Sequence, residues 1–571
     1  MNRLTLFLLH LKVLAGKRVF FFLFIVAIFS ASAQTTLAWA KPFGGPGFEY
    51  GVVFSFDKDN DMYNAFSFTD SVTISTISGP MSFKSKGLRD FLFMKSDSLG
   101  NILWAKQFGG NGGDHIFSIA IDNDYVYLGG ICDTACDFDP SINIFKSQKK
   151  GSFIAKYTLN GDFKWLKQIS GPYGIAIQVD KTGNIYAAGG FQDSVDFDPG
   201  APVYTLGSGS TIPHRYCHYL YKLDSLGNFA WAKAWYSHSN GAVYPSGFHL
   251  NDNGEIYISG SFSLVVDVDP TSSIIEFTDH GNGDIYISKF NTAGDFIWAK
   301  QLGANRSDNA GFIESDKRGN VYMTGYFRSD SLDFDPGPQQ HFIKRRGSWS
   351  DGYLLKLDSL GDFKFVKQIV GVSNDDIYSL SLNKQENIYV CGTYSNQCIV
   401  DLDTISKPGR NMFVSLFNNT GNLLDQFSFD GTQEVVGAPF IDVDRSGGIY
   451  LTGSFSNSID FDPTGNNFNA SAIGVTDAFL LKLDYSIPAK IEEIAKDKNI
   501  LIYPNPTKDK FEISVSIDHE FNLFDLAGNK LMEMAINKEN KEINLSDYAS
   551  GIYFGRLKSA KGIYSFKIIK L

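Results

Sequence analysis

Positive charge is in short supply in this chain. Lys and Arg together number 51 against 62 Asp and Glu, giving a net charge of −11, and no basic stripe offsets that balance. Binding a phosphate backbone requires a cationic surface, so nucleic acid is excluded as a partner. The local signatures G-x-S-x-G, H-E-x-x-H and the Walker loop are missing, so no catalytic motif can be read along the chain. Carboxylate pairs converge in space rather than in sequence, and a glycosidase-like pair stays open. No sustained 3.6-residue pattern runs through residues 34–486, which excludes a helical body. Cysteine is limited to five residues, a usage that fits an oxidising compartment.

Glycine and aromatic residues are plentiful: 55 Gly, and 15% Phe, Trp and Tyr. Together they suit a turn-rich β protein, and 571 residues exceed one ordinary core. The N-terminus reads as an export signal. Lys17 and Arg18 precede the apolar run Val19 to Phe29, and Ala31-Ser32-Ala33 supplies the small-residue cleavage site. The run falls short of the roughly 20 residues a spanning helix needs, so residues 1–33 are expected to be removed, with no transmembrane span in the mature chain. An uncleaved anchor is the alternative.

A repeat organises residues 34–486. One position holds Trp39, Trp104, Trp165, Trp231 and Trp298, then Phe365, then Asp425; this accounts for five of the seven Trp. A second holds Tyr63, Tyr127, Tyr186, Tyr257, Tyr322, Tyr389 and Tyr450. A third, in strands of the form D-x-F-L-x-K-L-D, holds Phe91, Phe153, Tyr219, Ile285, Tyr353, Phe413 and Phe479. Each unit reads as four short strands separated by Asp/Asn-x-x-Gly-Asn turns, in which Gly supplies the positive φ. The strands are apolar on both faces, as strands buried on both sides are. Twisted four-stranded sheets sandwiched between like sheets meet that need, so the expected fold is all-β, a seven-bladed β-propeller over residues 34–486. The chain enters the repeat at Leu37-AWAK and leaves it at Asp477-AFLLKLD. The two half-units complement each other, and the N-terminal strand is expected to close the last blade, hiding both edges.

The string Asp-x-Asp-Pro recurs at Asp137/Asp139, Asp196/Asp198, Asp267/Asp269, Asp333/Asp335 and Asp460/Asp462, with VDLDTI at 400–405 a looser copy. It is read as the corner where the chain leaves its fourth strand for the next blade, because Pro stops a strand and Asp accepts turn amides. A sharper reading makes Asp137, Asp139, Asp196, Asp198, Asp333, Asp335, Asp460 and Asp462 calcium ligands, although two carboxylates per loop are few for a hard cation. No other cofactor is implied. Cys132 with Cys136, and Cys391 with Cys398, each bracket a short turn and are read as disulfides or as thiols. Asp57-Lys-Asp59-Asn-Asp61 imitates a calcium loop but lacks its Gly and Glu, and reads as a hairpin. His214, Cys217 and His218 have metal-ligand chemistry, yet a strand would not bring all three to one face. Asp-Ser-apolar triplets such as Asp97-Ser98-Leu99 and Asp358-Ser359-Leu360 look like O-glycosylation sequons and fit turn chemistry equally well.

Units such as DGYLLKLDSLGDFKFVKQIVGVSNDDIYSLSLNKQENIYVCG resemble the SBBP-type β-propeller repeats of secreted bacterial proteins, over about residues 37–485. That resemblance implies a fold, not a role. After a charged linker at 487–499, residues 500–571 change to alternating strands, an expected small Ig-like β-sandwich. Tyr503-Pro504-Asn505-Pro506, Asp525 and Gly528 in FDLAG, Gly551 and Tyr553 in GIY, and the terminal Lys570 resemble the type A C-terminal sorting domain of type IX secretion cargo in Bacteroidetes. The resemblance implies handling by that machinery as partner, and a secreted or outer-surface location reached through the periplasm. Three functions are left open: a monomeric, non-enzymatic module binding glycan or protein through variable rim loops such as Ala201–Tyr216 and Gln339–Ser350; an extracellular carbohydrate-active hydrolase or lyase; and a structural element of the cell coat.

Overall fold

Strands dominate because the chain alternates short apolar runs with turns that glycine or asparagine can close. In the computed structural model the described residues are 34–486 and 501–570, less 142, 172, 208–214, 238–240, 272, 372–375, 402, 432–438, 465, 504–506, 515–518, 525–529, 538–540, 550 and 560–561. The expected signal peptide at 1–33 and linker at 487–499 lie outside them, as do His214, Pro504, Asn505, Pro506, Asp525 and Gly528. Contacts divide the chain into two units, one of them Ala33–Ser486 and the other carrying residues 487–571. The described residues are all-β, with no helix.

Among the described residues of the larger unit, seven antiparallel four-stranded arrays follow one another. Sheet 4 is typical, with Val243–Leu250, Glu255–Phe262, Asp284–Asn291 and Phe296–Leu302 side by side in chain order. The other first strands are Glu49–Phe56 in sheet 1, His115–Ile121 in sheet 2, Tyr173–Val179 in sheet 3, Asp308–Ser315 in sheet 5, Asp376–Leu382 in sheet 6 and Phe440–Val443 in sheet 7. Sheets 5 and 6 are joined where Ile369–Gly371 pairs with Cys398–Val400. Sheet 7 takes its fourth strand from the other end of the unit: Gln34–Phe43 pairs antiparallel with Asp477–Ser486, Gln34 opposite Ser486 and Phe43 opposite Ala478. Each first strand packs against the first strand of the next sheet, and that of sheet 1 against the second strand of sheet 7, Ile449–Phe455. The sheets do not close into a barrel.

This pairing corrects the placement of Asp-x-Asp-Pro. The string does not follow a fourth strand. It lies between the second and third strands of one sheet, in a small hairpin such as Val265–Asp267 with Glu276–Thr278. The chain crosses between sheets instead after the Trp-Ala-Lys strand. The corner is built alike five times. Asp137 Oδ1 accepts the amides of Asp139 (3.2 Å) and Phe145 (3.0 Å), and Asp139 Oδ1 accepts that of Ser141 (2.9 Å). Asp196, Asp267, Asp333 and Asp460 repeat both bonds, to the second and eighth residues onward. The residue between the two aspartates is a buried plug: Phe138, Phe197, Val268, Phe334 or Phe461, each 0% exposed. The motif is therefore a pair of nested Asx turns around an apolar anchor. VDLDTI lacks the proline. There the ladder runs on, with Val400 opposite Asp403 at the end of one long hairpin.

The repeated aromatics join neighbouring sheets. A Cβ at Gly100 would lie 2.9 Å from the Trp39 ring, at Gly161 3.0 Å from Trp104, at Gly227 3.2 Å from Trp165 and at Gly421 3.0 Å from Phe365. In each case the ring of one sheet covers the positive-φ glycine in the hairpin turn of the next. Trp298 instead donates to Ser359 O at 3.1 Å. At Asp425 the staple is polar, and Thr35 Oγ1 donates to its carboxylate at 3.0 Å. In six sheets the lysine of the third strand lies over the repeat tyrosine, 4.9 Å at Lys222–Tyr186 and 4.8 Å at Lys356–Tyr322. Lys156, Lys222, Lys289 and Lys356 reach a turn carbonyl of the next sheet, such as Thr292 O or Asn419 O, whereas Lys95 and Lys482 pair with Asp61 and Asp444 of their own sheets. These contacts explain the repeat as glue between sheets. Gly227→Ala is expected to lose roughly 2 kcal/mol by urea unfolding, because alanine disfavours this backbone and its methyl meets Lys167 and Trp165. Gly447→Ala, with positive φ but open space around it, should lose only the backbone part.

The cysteines stand as thiols, not as the disulfides considered for Cys132–Cys136 and Cys391–Cys398. Cys391 and Cys398 lie seven residues apart in the single strand Ile388–Val400, a rise of roughly 20 Å, whereas a disulfide needs Cα atoms within about 7 Å. Cys132 and Cys136 share one apolar cluster, and burial pushes the Cys132 thiol up to about 12.

The described residues of the C-terminal unit form two antiparallel sheets. One holds Leu501–Tyr503, Lys510–Ser514 and Glu542–Asn544; the other holds Lys530–Ile536, His519–Phe524, Gly551–Ser559 and Gly562–Lys570. They share a core that includes Phe511, Ile513, Phe521, Leu523 and Leu557.

Candidate functional site

Residues that obey a repeat serve its architecture, so departures from the repeat are where a site is to be sought. The position opposite each repeat tyrosine, on the first strand of each sheet, is the clearest departure. Register places Ser55 opposite Tyr63, Ala120 opposite Tyr127, Gln178 opposite Tyr186, His249 opposite Tyr257, Glu314 opposite Tyr322, Ser381 opposite Tyr389 and Asp442 opposite Tyr450. All seven line one cavity of about 630 Å³, to which every sheet contributes its first strand. Among the described residues the lining holds no Lys or Arg, and its carboxylates are Glu314 and Asp442.

Part of this ring has structural work. First strands are sheet edges, and their backbone groups need partners. Gln178 Oε1 accepts the Leu250 amide of the next sheet, and the Leu382 amide lowers the proton affinity of Glu314. Ser118 Oγ bonds both N–H and C=O of Ile177, at 3.1 and 3.3 Å. Ser381 Oγ donates to Asp442 Oδ1 at 2.8 Å, and the Val443 amide donates to the same oxygen at 2.8 Å. Burial, then repulsion from Asp442, holds the Glu314 carboxyl well above the usual range. Burial raises Asp442 to about 6 and lowers His249 to about 4. The His249 Nε2 is buried without a hydrogen-bond partner among the described residues.

One end of the cavity is built by β-bulges. Register slips on the first strands at Phe117, Ser246, Gly311–Phe312 and Tyr378. A bulge adds a residue and re-aims a side chain, and here the added residues line the cavity. Phe117 is 41% and Phe312 38% exposed, so aromatic rings sit at an open mouth. Phe312 stands 5.8 Å from Phe440, itself edge-on to Phe54 at 5.4 Å. A side pocket at the same end is lined by Phe312, Tyr326, Asp376 and Tyr378, and Arg410 donates to the Tyr378 hydroxyl at 3.1 Å.

The acid pair gives a signed prediction. A carboxyl whose folded value is raised stabilises the fold below its unfolded value, and that stabilisation is lost as pH climbs from about 4 through about 6. Asp442→Asn keeps an acceptor for Ser381 and Val443. It should raise the melting temperature at pH 8 and leave it unchanged at pH 4; a gain equal at both pH values would refute the assignment.

The sequence-derived candidates fall elsewhere. No group of three or more His, Cys, Asp or Glu converges as a metal site among the described residues, and one oxygen of each Asp-x-Asp-Pro carboxylate is a turn acceptor. Asp57 Oδ1 accepts the Asp59 and Asp61 amides, and Lys95 pairs with Asp61 at 2.9 Å. His218 is 1% exposed, against Trp235 and Tyr286, while its neighbour Cys217 packs in a different cluster. In the tail, Gly551 is exposed, Tyr553 donates to Ala549 O at 2.6 Å, and Lys570 is buried. The ring escapes sequence reading because its signal is variation. Each member stands two residues before a turn residue, from Asp57 to Asp444, in a column where the units disagree.

Residues 501–571 match the secretion system C-terminal sorting domain. The protein is therefore exported to the cell surface and handled by the type IX secretion machinery. No helix among the described residues is long and apolar enough to cross a membrane. No curated protein matches the sequence. Among solved structures, the chain is similar to the extracellular domain of a hybrid two-component system of B. thetaiotaomicron, at 10% identity over 93% of this chain and 99% of that one, TM-score 0.19. It is also similar to a member of the DUF4221 family from Bacteroides vulgatus, at 11% identity over 65% of this chain and 93% of that one, TM-score 0.29.

Proposed function

We propose that the seven sheets form a seven-bladed β-propeller displayed outside the cell, a non-enzymatic module that binds glycan or protein at the bulged end of its central channel. Seven like sheets in chain order, the pairing of the first strand with the last, and one cavity bordered by all seven first strands support the ring. The observation that carries the binding role is the gathering of residues that break the repeat into a single place, under exposed aromatic rings. The cavity lies in the range of small-ligand pockets, about 300–1,000 Å³. This moves the expected contact surface from the rim loops to the channel mouth. A glycan and protein array probed with the purified full chain tests the role. Binding that weakens in Phe312→Ala supports it; an array with no binder would refute it.

A second reading, a hydrolase or lyase, is favoured by one observation. Glu314 and Asp442 share a cavity, and burial raises the proton affinity of both, as a carboxyl acting as general acid requires. Release of shorter products from an array-positive oligosaccharide, lost in Glu314→Gln, would establish that reading; an oligosaccharide recovered intact would exclude it.

A further inference from the structure

The binding reading leaves the ligand's chemistry open, and a ligand class drawn from the channel wall rests on that reading. The wall has three levels. At the mouth, bulges present Phe117, Phe312 and Tyr378. Below them is the polar ring, and beyond it apolar Ile121, Val179 and Leu250 complete the lining. Flat rings above a belt of mixed donors and acceptors match a ligand with apolar faces and a hydroxylated rim.

We infer that the channel takes the terminal unit of a neutral oligosaccharide, stacked on Phe312 and Tyr378 and hydrogen-bonded by Gln178, His249, Glu314, Ser381 and Asp442. Three exclusions narrow the class. An anionic sugar would meet two carboxyl groups and, among the described residues, no Lys or Arg in the channel lining, leaving its charge uncompensated there. A peptide added as a strand would need free edge groups, and side chains of adjoining sheets already occupy several: Gln178 on Leu250, Ser118 on Ile177, and Ser261 on Ala310. An extended chain lying across the channel would miss the ring beneath the mouth, so entry is end-on. The polar ring supplies what a hydroxylated ligand needs. His249 Nε2 has no partner among the described residues, Ser381 and Asp442 already form a donor–acceptor pair, and Glu314 lies in the same lining, its proton affinity raised by burial.

Isothermal titration of the full chain tests the class. The probes are neutral cello-, malto- and manno-oligosaccharides of two to six units, with oligogalacturonides as the anionic arm and chitosan oligomers as the cationic arm. At least one neutral series should bind, with affinity levelling off once the chain is long enough to fill the channel. Phe312→Ala and Tyr378→Ala should each weaken it at least tenfold with melting temperatures unchanged, and Ser381→Ala about fivefold with a lowered melting temperature, since it also removes a donor from Asp442. Oligogalacturonides should not bind. Preference for oligogalacturonides or chitosan overturns the neutral class. Neutral sugars bound equally by the wild type and all three variants overturn the channel as their site, while the binding reading survives. A chain that binds proteins but no saccharide overturns this inference alone, and one that binds neither overturns both.

Discussion

Deleting residues 34–43 is expected to cost the larger unit its cooperative fold, and moving the same ten residues behind Ser486 is expected to restore it. The strand supplies the fourth position of sheet 7, held by a ladder from Gln34–Ser486 to Phe43–Ala478. Without it, Asp477–Ser486 becomes a bare edge beside a core that includes Phe479, Leu481 and Leu483. Buried Ala40 and Phe43 are lost with it, as is the Trp39 ring that covers Gly100 and meets Tyr450 edge-on at 5.9 Å. Truncating one large buried side chain costs about 2–5 kcal/mol. The whole stability of a domain is about 5–15 kcal/mol, so losing the strand should consume most of it. The exposed edge should also pair with other copies. Expected results are a fall in melting temperature of about 5–15 °C, at roughly 1 °C per kcal/mol for a unit of this size, and oligomers on size exclusion. Gln34 lies opposite Ser486, so a short turn of the Asp-Ser-Leu-Gly-Asp type used at 358–362 can join them as a continuous hairpin. Every other sheet already connects its third and fourth strands this way. The permuted chain should melt within a few degrees of the natural one. A deletion variant that stays monomeric and melts unchanged would show that the closing strand is dispensable.

Why this pairing was legible, and the corner position was not, comes down to how far apart the partners lie. Phase alone showed that Leu37-AWAK lacked a partner and Asp477-AFLLKLD lacked a successor. The hairpin between D-x-F-L-x-K-L-D and Trp-Ala-Lys is local, and its glycine turn marks it in the sequence. The partnership of Tyr257 with Lys289 spans an insertion whose length varies between units. Nothing local shows that the chain returns to the same sheet after Asp-x-Asp-Pro. A strand-ending proline looks the same whether the next strand belongs to this sheet or to its neighbour. The channel site was hidden for two further reasons. Bulges at Phe117 and Tyr378 are backbone irregularities with no composition of their own, and glycine marks only some, as at Gly51 and Gly174 with their positive φ. Ring members such as His249 and Glu314 come together only through the stacking of sheets. The tail was the reverse case, since its sorting motifs are ordered along the chain and needed no tertiary pairing to be read.

Lys570→Met is expected to block surface display at least tenfold, nearly as completely as deleting residues 501–571, whereas Gly551→Ala should leave it intact. Both positions belong to the sorting motifs, yet their physical roles differ. The Lys570 side chain is 8% exposed, and its ammonium donates to the carbonyls of Leu545 (2.7 Å), Ser546 (3.2 Å) and Tyr548 (2.6 Å). Its ion pair with exposed Asp509 at 3.5 Å adds little in water. Methionine fills a similar volume but takes the ammonium from all three carbonyls. Leu545 O keeps the Tyr548 amide at 3.0 Å, and the loss at Ser546 O and Tyr548 O costs about 1–3 kcal/mol for each one that is buried. A domain of this size has only a few kcal/mol to lose. Gly551 is exposed, and a Cβ there meets nothing within 4 Å, so alanine should be tolerated unless the machinery reads that surface directly. Protease shaving of intact cells and immunoblotting of cell fractions measure display. Trypsin digestion of the purified full chain reports separately whether the tail is folded. Lys570→Met should fail both tests. A variant with a protease-resistant tail that is nonetheless retained inside the cell would make Lys570 a recognition residue, and the hydrogen bonds to 545–548 incidental to sorting.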